Sequence, residues 1–235
     1  MSEKDDVLGR LTASLETAAR LRASAKACSR TSAARTALRN WQAGRFSRTH
    51  ADLLASAEYG DAARFFLTDL YGPADVAHRD ALMQRVAPTL SKMLSVSALD
   101  VVADAIELDS LSESLDADMV HALGEKGDLI DASAYARAYR QIARQDDRSR
   151  QIVMIGHLGA SLDTLSRQRL LGSALAMMRK PMEIAGFGDL HAFLERGFGS
   201  FRKMKTAKPF LDTVISREKA ISVALFAGDD SPLVR

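Results

Sequence analysis

The sequence of 235 residues has a single cysteine, Cys28, and only five prolines. One cysteine excludes an intramolecular disulfide and a structural zinc site built from several cysteines. No charge-free apolar run approaches the roughly 20 residues of a transmembrane helix, and the first residues lack the charge order of a secretory signal. These absences predict a cytoplasmic protein that does not cross a membrane.

Signals for β-structure are missing as well. The sequence shows no sustained two-residue alternation of apolar and polar residues between hairpin turns. Apolar residues instead recur every three to four positions, as they do in amphipathic helices. No repeat of fixed period and no linker rich in proline, glycine or serine divides the chain. We therefore expect an all-α fold, a single multi-helix bundle of about eight helices with no sheet.

Within this single domain, 1–235, three parts are expected to differ. Residues 1–60 should form basic N-terminal helices that dock loosely, because the small residues from Ala23 to Ala34 make a weak core face. Residues 61–228 should form the main bundle, around a long central helix that Ser97 caps and Gly124 ends. Residues 229–235 should form a frayed tail.

Charge is distributed unevenly, although the net charge is only +2. Residues 17–50 contain eight basic and no acidic residues, whereas residues 93–136 contain ten acidic residues and one lysine. The two blocks either pair with each other, within the fold or across a dimer, or form two solvated faces. The basic block also permits nucleic-acid binding, since Trp41 and Phe46 lie among its cations.

The segment Phe65–Asp80 carries the densest local signal. Gly72 and Pro73 predict the end of one helix, and Asp75 can cap the next, so the segment should form a tight helical corner. Polar residues at this corner and on the predicted central and last helices are the candidates for a binding site. They are Asp69, Tyr71, Asp75, Arg79 and Asp80 at the corner, Glu113 and His121 on the central helix, and Arg217 and Glu218 on the last helix.

Metal and haem sites in helical bundles need inward-facing ligands at helical spacing. Asp118-x-x-His121 and His191-x-x-x-Glu195 each place two ligands on one helical face, which is half of the set that a two-metal site requires. His121 and His191 are therefore the candidates for a single metal ion. A bundle rich in Met and Phe could enclose a haem, but core packing explains the same stripes. No cofactor is predicted, and haem or one metal ion is the alternative.

Several motifs resemble those of a known family. Residues 65–75 read FFLxDLYGPxD and precede Arg79 and Asp80. They are joined by LSESLD at 111–116, LHAFLERGF at 190–198 and ISREKAI at 215–221. With these motifs, the chain from about residue 62 onward resembles an uncharacterised family of bacterial, mostly proteobacterial, all-helical proteins. The resemblance implies an all-helical fold and no known activity.

No motif predicts catalysis, because the glycine-rich stretches lack the strand-to-helix context of phosphate loops and no nucleophile elbow is present. We expect a non-catalytic helical binding or regulatory protein, adaptor-like and of unknown ligand. Its partner should be a second copy in a homodimer or another protein. One alternative is a sensor or enzyme with a buried haem or metal, and another is nucleic-acid binding through residues 17–50.

Overall fold

The chain is helical throughout the part that its computed structural model describes, residues 2–70, 95–124, 130–184 and 188–234. In these ranges there are ten α-helices and no strand. The helices are α1 (Glu3–Lys26), α2 (Ser29–Thr49), α3 (Ala51–Ala55), α4 (Gly60–Phe65), α5 (Val96–Leu123), α6 (Ala132–Gln141), α7 (Gln145–Ser166), α8 (Arg169–Ile184), α9 (Gly188–Lys203) and α10 (Lys208–Phe226). A π-helical turn, Phe66–Leu70, follows α4, and a 3-10 turn, Ser231–Leu233, follows α10. The predicted all-α bundle is confirmed, with ten helices in place of about eight.

A break at His50 contributes to the higher helix count. The sequence predicts one helix over residues 32–56, but α2 ends at Thr49 and the short α3 begins at Ala51. The backbone of His50 leaves the helical region at this point, with φ −118° and ψ 28°. Its side chain is fully buried and contacts Glu218 on α10, so the break aims this imidazole into the interior.

Helix α1 lies along α5 over much of its length. A capping box formed by Ser2 and Asp5 starts α1. An apolar stripe of α1 packs on α5; the buried members are Val7, Leu11, Leu15, Leu99, Ala103 and Ile106. Full burial of a leucine side chain contributes about 2 kcal/mol, so this contact stabilises the attachment of α1 to α5.

The central helix starts and ends close to its predicted positions. Ser95 caps α5, because its Oγ accepts a hydrogen bond of 3.3 Å from the Ala98 backbone N–H. The predicted cap, Ser97, lies two positions later. Gly124 ends the helix with φ 63°, a left-handed value that glycine adopts without strain.

The largest apolar cluster joins α4 and the π-helical turn to α9 and α10. Its aromatic centre consists of Phe65, Phe66, Phe201 and Phe210. Gly197 on α9 permits this contact, since a Cβ there would lie 2.8 Å from Cζ of Phe65. The two phenylalanines that open the predicted corner therefore belong to the core. The rest of the corner, from Tyr71 to Asp80, lies outside the described residues.

Two glycines set the approach of α7 to α10. A Cβ on Gly156 would lie 2.7 Å from Cδ1 of Ile215, and one on Gly159 would overlap both methyl groups of Leu211. Helix α7 runs through both positions without the break that their sequence suggests. The absence of two side chains thus lets Leu211 and Ile215 of α10 pack directly against the α7 backbone.

The C-terminal residues pack against a third apolar cluster. Trp41 stacks on Tyr135 with ring centroids 4.0 Å apart, and Leu233 is 3% exposed in the same cluster. Arg140 pairs with Asp230 at 2.6 Å. Leu233 and the Arg140–Asp230 pair therefore give residues 230–233 contacts with the bundle, and the frayed tail stays a prediction.

Membrane-spanning helices are absent from the described ranges: none of the helices there is long and apolar enough to cross a bilayer.

Candidate functional site

The polar interior is organised around one face of α2. Arg35, Arg39 and Gln42 follow one another at helical spacing, so they share a face. This face meets α5, where Glu113 and Asp116 also lie one turn apart. Helix periodicity on both sides therefore brings the basic and acidic blocks into register.

Glu113 is the centre of the first cluster. Its side chain is 2% exposed and pairs with three arginines from two helices, Arg22, Arg35 and Arg39. Nε of Arg22 donates to Oε1 of Glu113 at 2.9 Å. Burial and the neighbouring guanidinium of Arg39 lower the pKa of Arg35 to about 10. The three cations lie this close because they share one buried carboxylate.

Neighbouring groups on α5 balance the remaining positive charge. Nη2 of Arg22 donates to Asp109 at 2.6 Å. Asp116 accepts hydrogen bonds from Nε of Arg39 at 3.4 Å and from Nε2 of Gln42 at 3.1 Å. We call the seven residues that make these contacts the Glu113 cluster: Arg22, Arg35, Arg39, Gln42, Asp109, Glu113 and Asp116.

A second cluster surrounds Glu218 on α10. Arg45 of α2 pairs with this carboxylate, and Nε2 of the fully buried His50 lies 2.9 Å from its Oε1. Burial alone would raise the pKa of Glu218, but Arg45 and His50 outweigh it and lower that pKa to about 2. A carboxyl group with such a pKa is ionised at neutral pH, so it serves as an anchor for α2 and not as a proton donor.

The adjacent Arg217 makes a separate contact. It donates through Nη1 and Nη2 to the two carboxylate oxygens of Asp52, at 2.7 and 2.8 Å, and to the backbone carbonyl of Thr49 at 3.0 Å. The side-chain hydrogen bonds from Arg217 lower the pKa of Asp52 to about 2. This bidentate pair attaches α10 to the junction between α2 and α3.

A third polar group lies where α6 and α7 meet α5 and α10. Arg148 is 7% exposed, and its guanidinium carbon lies 4.8 Å from the ring centroid of Tyr139. The Tyr139 hydroxyl donates to Oγ of Ser222 at 3.0 Å. Gln151 links Arg148 to α5, because its Oε1 accepts from Arg148 at 3.1 Å and its Nε2 donates to Ser112 at 2.7 Å.

The candidates chosen from the sequence lie in several places. Glu113, Arg217 and Glu218 belong to three separate partner sets, and His121 is exposed in the last turn of α5. Asp69 lies in the π-helical turn, and its side chain is outside the described part, as are Tyr71, Asp75, Arg79 and Asp80. The structure therefore joins α2 to Glu113 and to Glu218, and it shows no common pocket for the candidates that it describes.

The predicted metal candidates have different surroundings. His191 is 2% exposed, with Nε2 2.7 Å from the Leu175 carbonyl oxygen and Nδ1 3.6 Å from the carboxylate of Glu195. Across the described ranges, no three histidine, cysteine or acidic side chains are grouped so that they could hold a metal ion.

The sequence interpretation did not select Arg22, Arg35, Arg39 or Arg148. The spacing of Arg148, Gln151, Ile155 and Leu158 places all four on one helical face, and all four are buried. A search for charged residues on apolar helical faces would have identified Arg148. The arginines of α1 and α2 could be noted as a basic block, but their carboxylate partners lie more than 70 positions away.

Comparison with known families identifies one match. A family model described as a domain of unknown function (DUF8198) matches residues 21–232. The chain therefore belongs to this family. No curated protein and no solved structure matches the chain.

Proposed function

We propose that this member of the DUF8198 family is a non-catalytic helical binding protein, adaptor-like in action, that works as a homodimer in a bacterial cytoplasm. The bacterial source and the FFLxDLYGPxD signature are part of the proposal and rest on the sequence resemblance. The observation that carries the binding role is an exposed apolar surface on α8 and α9. We call it the α8–α9 face and define it by Met177, Met178 and Leu194.

The α8–α9 face is unusual in its exposure. Met177 is 76% exposed, Met178 37% and Leu194 40%. Arg179 donates two hydrogen bonds to the carboxylate of Glu195, at 2.8 and 2.9 Å, and thereby joins α8 to α9 next to Met178 and Leu194 in the sequence. Clustered apolar side chains on a surface favour protein contact, and methionine adapts readily to a partner.

A second copy suits this surface for a reason of charge. Arg179, Lys180 and Glu183 lie on α8 among the exposed residues and carry both signs. In a two-fold interface, each residue of such a face meets the corresponding set from the partner, so opposite charges can pair across it. A uniformly charged face would repel its own copy.

Arginines of residues 17–50 form ion pairs within the chain, which favours the protein-binding role over nucleic-acid binding. At least four of the eight cations in residues 17–50 are in ion pairs within the chain, among them Arg22, Arg35, Arg39 and Arg45. An arginine held by a buried carboxylate is less available to a phosphate backbone. Binding to single-stranded DNA that weakens as salt rises would instead support the nucleic-acid alternative.

The mass in solution tests the proposal. Light scattering on the wild-type chain should give twice the mass of one chain, and Met177→Glu should give a single-chain mass because it places a charge in the α8–α9 face. Val153→Glu is the matched control, since Val153 is 54% exposed on a different helix, α7. It should leave the dimer intact. A wild-type monomer would refute the homodimer, and a dimer that survives Met177→Glu would refute the α8–α9 face as its interface.

The cofactor alternative needs a separate measurement on the same sample. The visible absorption spectrum of the purified protein should show no haem band, and metal analysis should find no bound metal. A haem band or a stoichiometric metal would replace the binding role with a sensor or enzyme.

A further inference from the structure

Arg148 is a buried cation for which the described residues supply no carboxylate. Its backbone N–H donates to the carbonyl of Arg144 at 3.0 Å, which places it in the first turns of α7. A positive charge there lies near the positive end of the helix dipole. Burial, helix position and the lack of an ion-pair partner among these residues all disfavour a cation.

The guanidinium of Arg148 is hydrogen-bonded at one end and has unsatisfied donors along one edge. Its Nη1 donates to Gln151, whereas Nε and Nη2 are buried and have no hydrogen-bond partner in the described ranges. The N–H groups of Nε and Nη2 point the same way along one edge of the planar group. Two parallel donors of this kind match the two oxygens of a carboxylate or phosphate.

The side chains that hydrogen bonds link to Arg148 and to Tyr139 are polar and carry no negative charge. Gln151, Ser112 and Ser222 are neutral. Burial raises the pKa of the Tyr139 hydroxyl, although Arg148 opposes this shift, so the phenol is neutral at physiological pH. Arg148 therefore stacks on Tyr139 without an ion-pair partner among the described residues, beside hydroxyl and amide groups that can bind an anion.

We propose that the Nε–Nη2 edge of Arg148 is the receptor for a small oxyanion, a carboxylate or a phosphate group, bound between α6 and α7. Such a ligand would neutralise the buried charge and accept both open hydrogen bonds. This site does not depend on the homodimer or on the α8–α9 face.

Binding requires α6 and α7 to separate, because neither nitrogen is accessible in the closed form. The joint between these helices is suited to move. Ala143 lies between them with φ 51°, a left-handed value that is strained for a residue with a Cβ. Movement at Ala143 would relieve this strain and draw Tyr139 away from Arg148.

Thermal unfolding with defined anions tests the site. We would add sodium phosphate or sodium acetate at low millimolar concentration and compare each with sodium chloride at equal ionic strength. A saturable rise in the melting temperature is expected with at least one of the two oxyanions. A response to phosphate alone would identify a phosphate group, and a response to acetate alone would identify a carboxylate.

Three variants separate binding from general salt effects. Arg148→Met should abolish the rise in melting temperature. Arg148→Lys should weaken the affinity for the anion about tenfold, because lysine keeps the charge but lacks the two parallel N–H donors of arginine. Arg137→Met is the matched control, since Arg137 is exposed on α6 and lies close to the joint in the sequence. It should leave the rise unchanged. The same rise in Arg148→Met, or none in the wild type with either anion, would overturn the proposal.

The anion-free state gives an independent readout. Without added oxyanion, Arg148→Met should unfold at the same temperature as the wild type or higher, because methionine fills similar space without an unpaired charge. A large loss of stability, or failure to fold, would mean that Arg148 is a structural cation, and this result also overturns the proposal.

Discussion

Arg22 on α1 and Glu113 on α5 lie 91 positions apart in the sequence, and the Arg22 Nε donates a 2.9 Å hydrogen bond to the Glu113 Oε1. This contact joins the basic and acidic blocks inside one chain. Because Arg35 and Arg39 pair with the same carboxylate, a single side chain on α5 fastens both α1 and α2.

Removal of the Glu113 carboxylate should destabilise the fold strongly. Glu113→Gln leaves the buried Arg22 and the partly buried Arg35 and Arg39 short of one negative charge, and loss of one partner from a buried ion pair typically costs about 3–5 kcal/mol. Urea denaturation followed by circular dichroism measures the change. Asp100→Asn is the control, because Asp100 is half exposed in its pair with Arg10 and should cost less than about 1 kcal/mol. Similar small losses in both variants would contradict the role of Glu113.

Stability should fall in acid through Glu218. Its folded pKa of about 2 lies below the ordinary value of 4.5, so the folded state holds this proton less tightly than the unfolded state. The contribution is fully present above about pH 4.5 and is lost as the pH falls toward 2; for this shift it amounts to at most about 3 kcal/mol. Urea unfolding at a series of pH values measures it.

Two variants assign this acid sensitivity. Glu218→Gln should flatten the stability profile between these pH values and should converge with the wild type at the acid end. Asp52→Asn should change the profile less, although the pKa of Asp52 is also lowered to about 2, because Asp52 is 59% exposed and solvent screens its pair with Arg217. An unchanged slope in Glu218→Gln would show that other groups cause the acid sensitivity.

Gly159 should not tolerate a methyl group. Gly159→Ala forces α7 away from Leu211 and should destabilise the protein by about 1–3 kcal/mol. Gly199→Ala is a sharp control, since Gly199 is also inside a helix but no packed neighbour among the described residues lies within 4 Å of the position that its Cβ would take. It should stabilise by about 0.5–1 kcal/mol through helix propensity. Differential scanning calorimetry compares the two, and equal signs would contradict the close packing of α7 on α10.

The C-terminal anchor can be tested at adjacent residues. Leu233→Ala removes a side chain that is 3% exposed and should cost about 2–5 kcal/mol, whereas Val234→Ala alters one that is 76% exposed and should cost little. Hydrogen exchange at residues 226–234 should speed up in the first variant only. Equal exchange in both would support the frayed tail that the sequence predicts.

Local sequence signals predicted the helices well but did not show what each helix packs against. Gly124 marked the end of α5 because left-handed backbone favours glycine wherever it occurs. The apolar spacing of Leu11 and Leu15 was visible in the sequence, whereas their burial against α5 was not. How much an apolar stripe contributes to stability depends on the surface against which it packs. For α1 that surface belongs to α5, about 90 residues further along the chain.

The candidate site was only partly accessible to sequence reasoning. Glu113 and Glu218 were selected, but their partners on α1 and α2 were visible only as an unassigned basic block. Arg148 was not selected, although its place on an apolar helical face was visible in the sequence; the sequence did not show that its side chain lacks an ion-pair partner among the described residues. An unpaired donor is a property of the assembled interior and leaves no local pattern.

The sequence by itself determined the all-α class, the capacity of two charged blocks to pair, and the helix end at Gly124, because periodicity, charge and backbone preference are local properties. The tertiary structure decided that the pairing occurs within the chain at Glu113, that α2 breaks at His50, and that Arg148 is buried without a described counter-charge. These outcomes depend on distances between residues far apart in the sequence, and only the packed helices fix such distances.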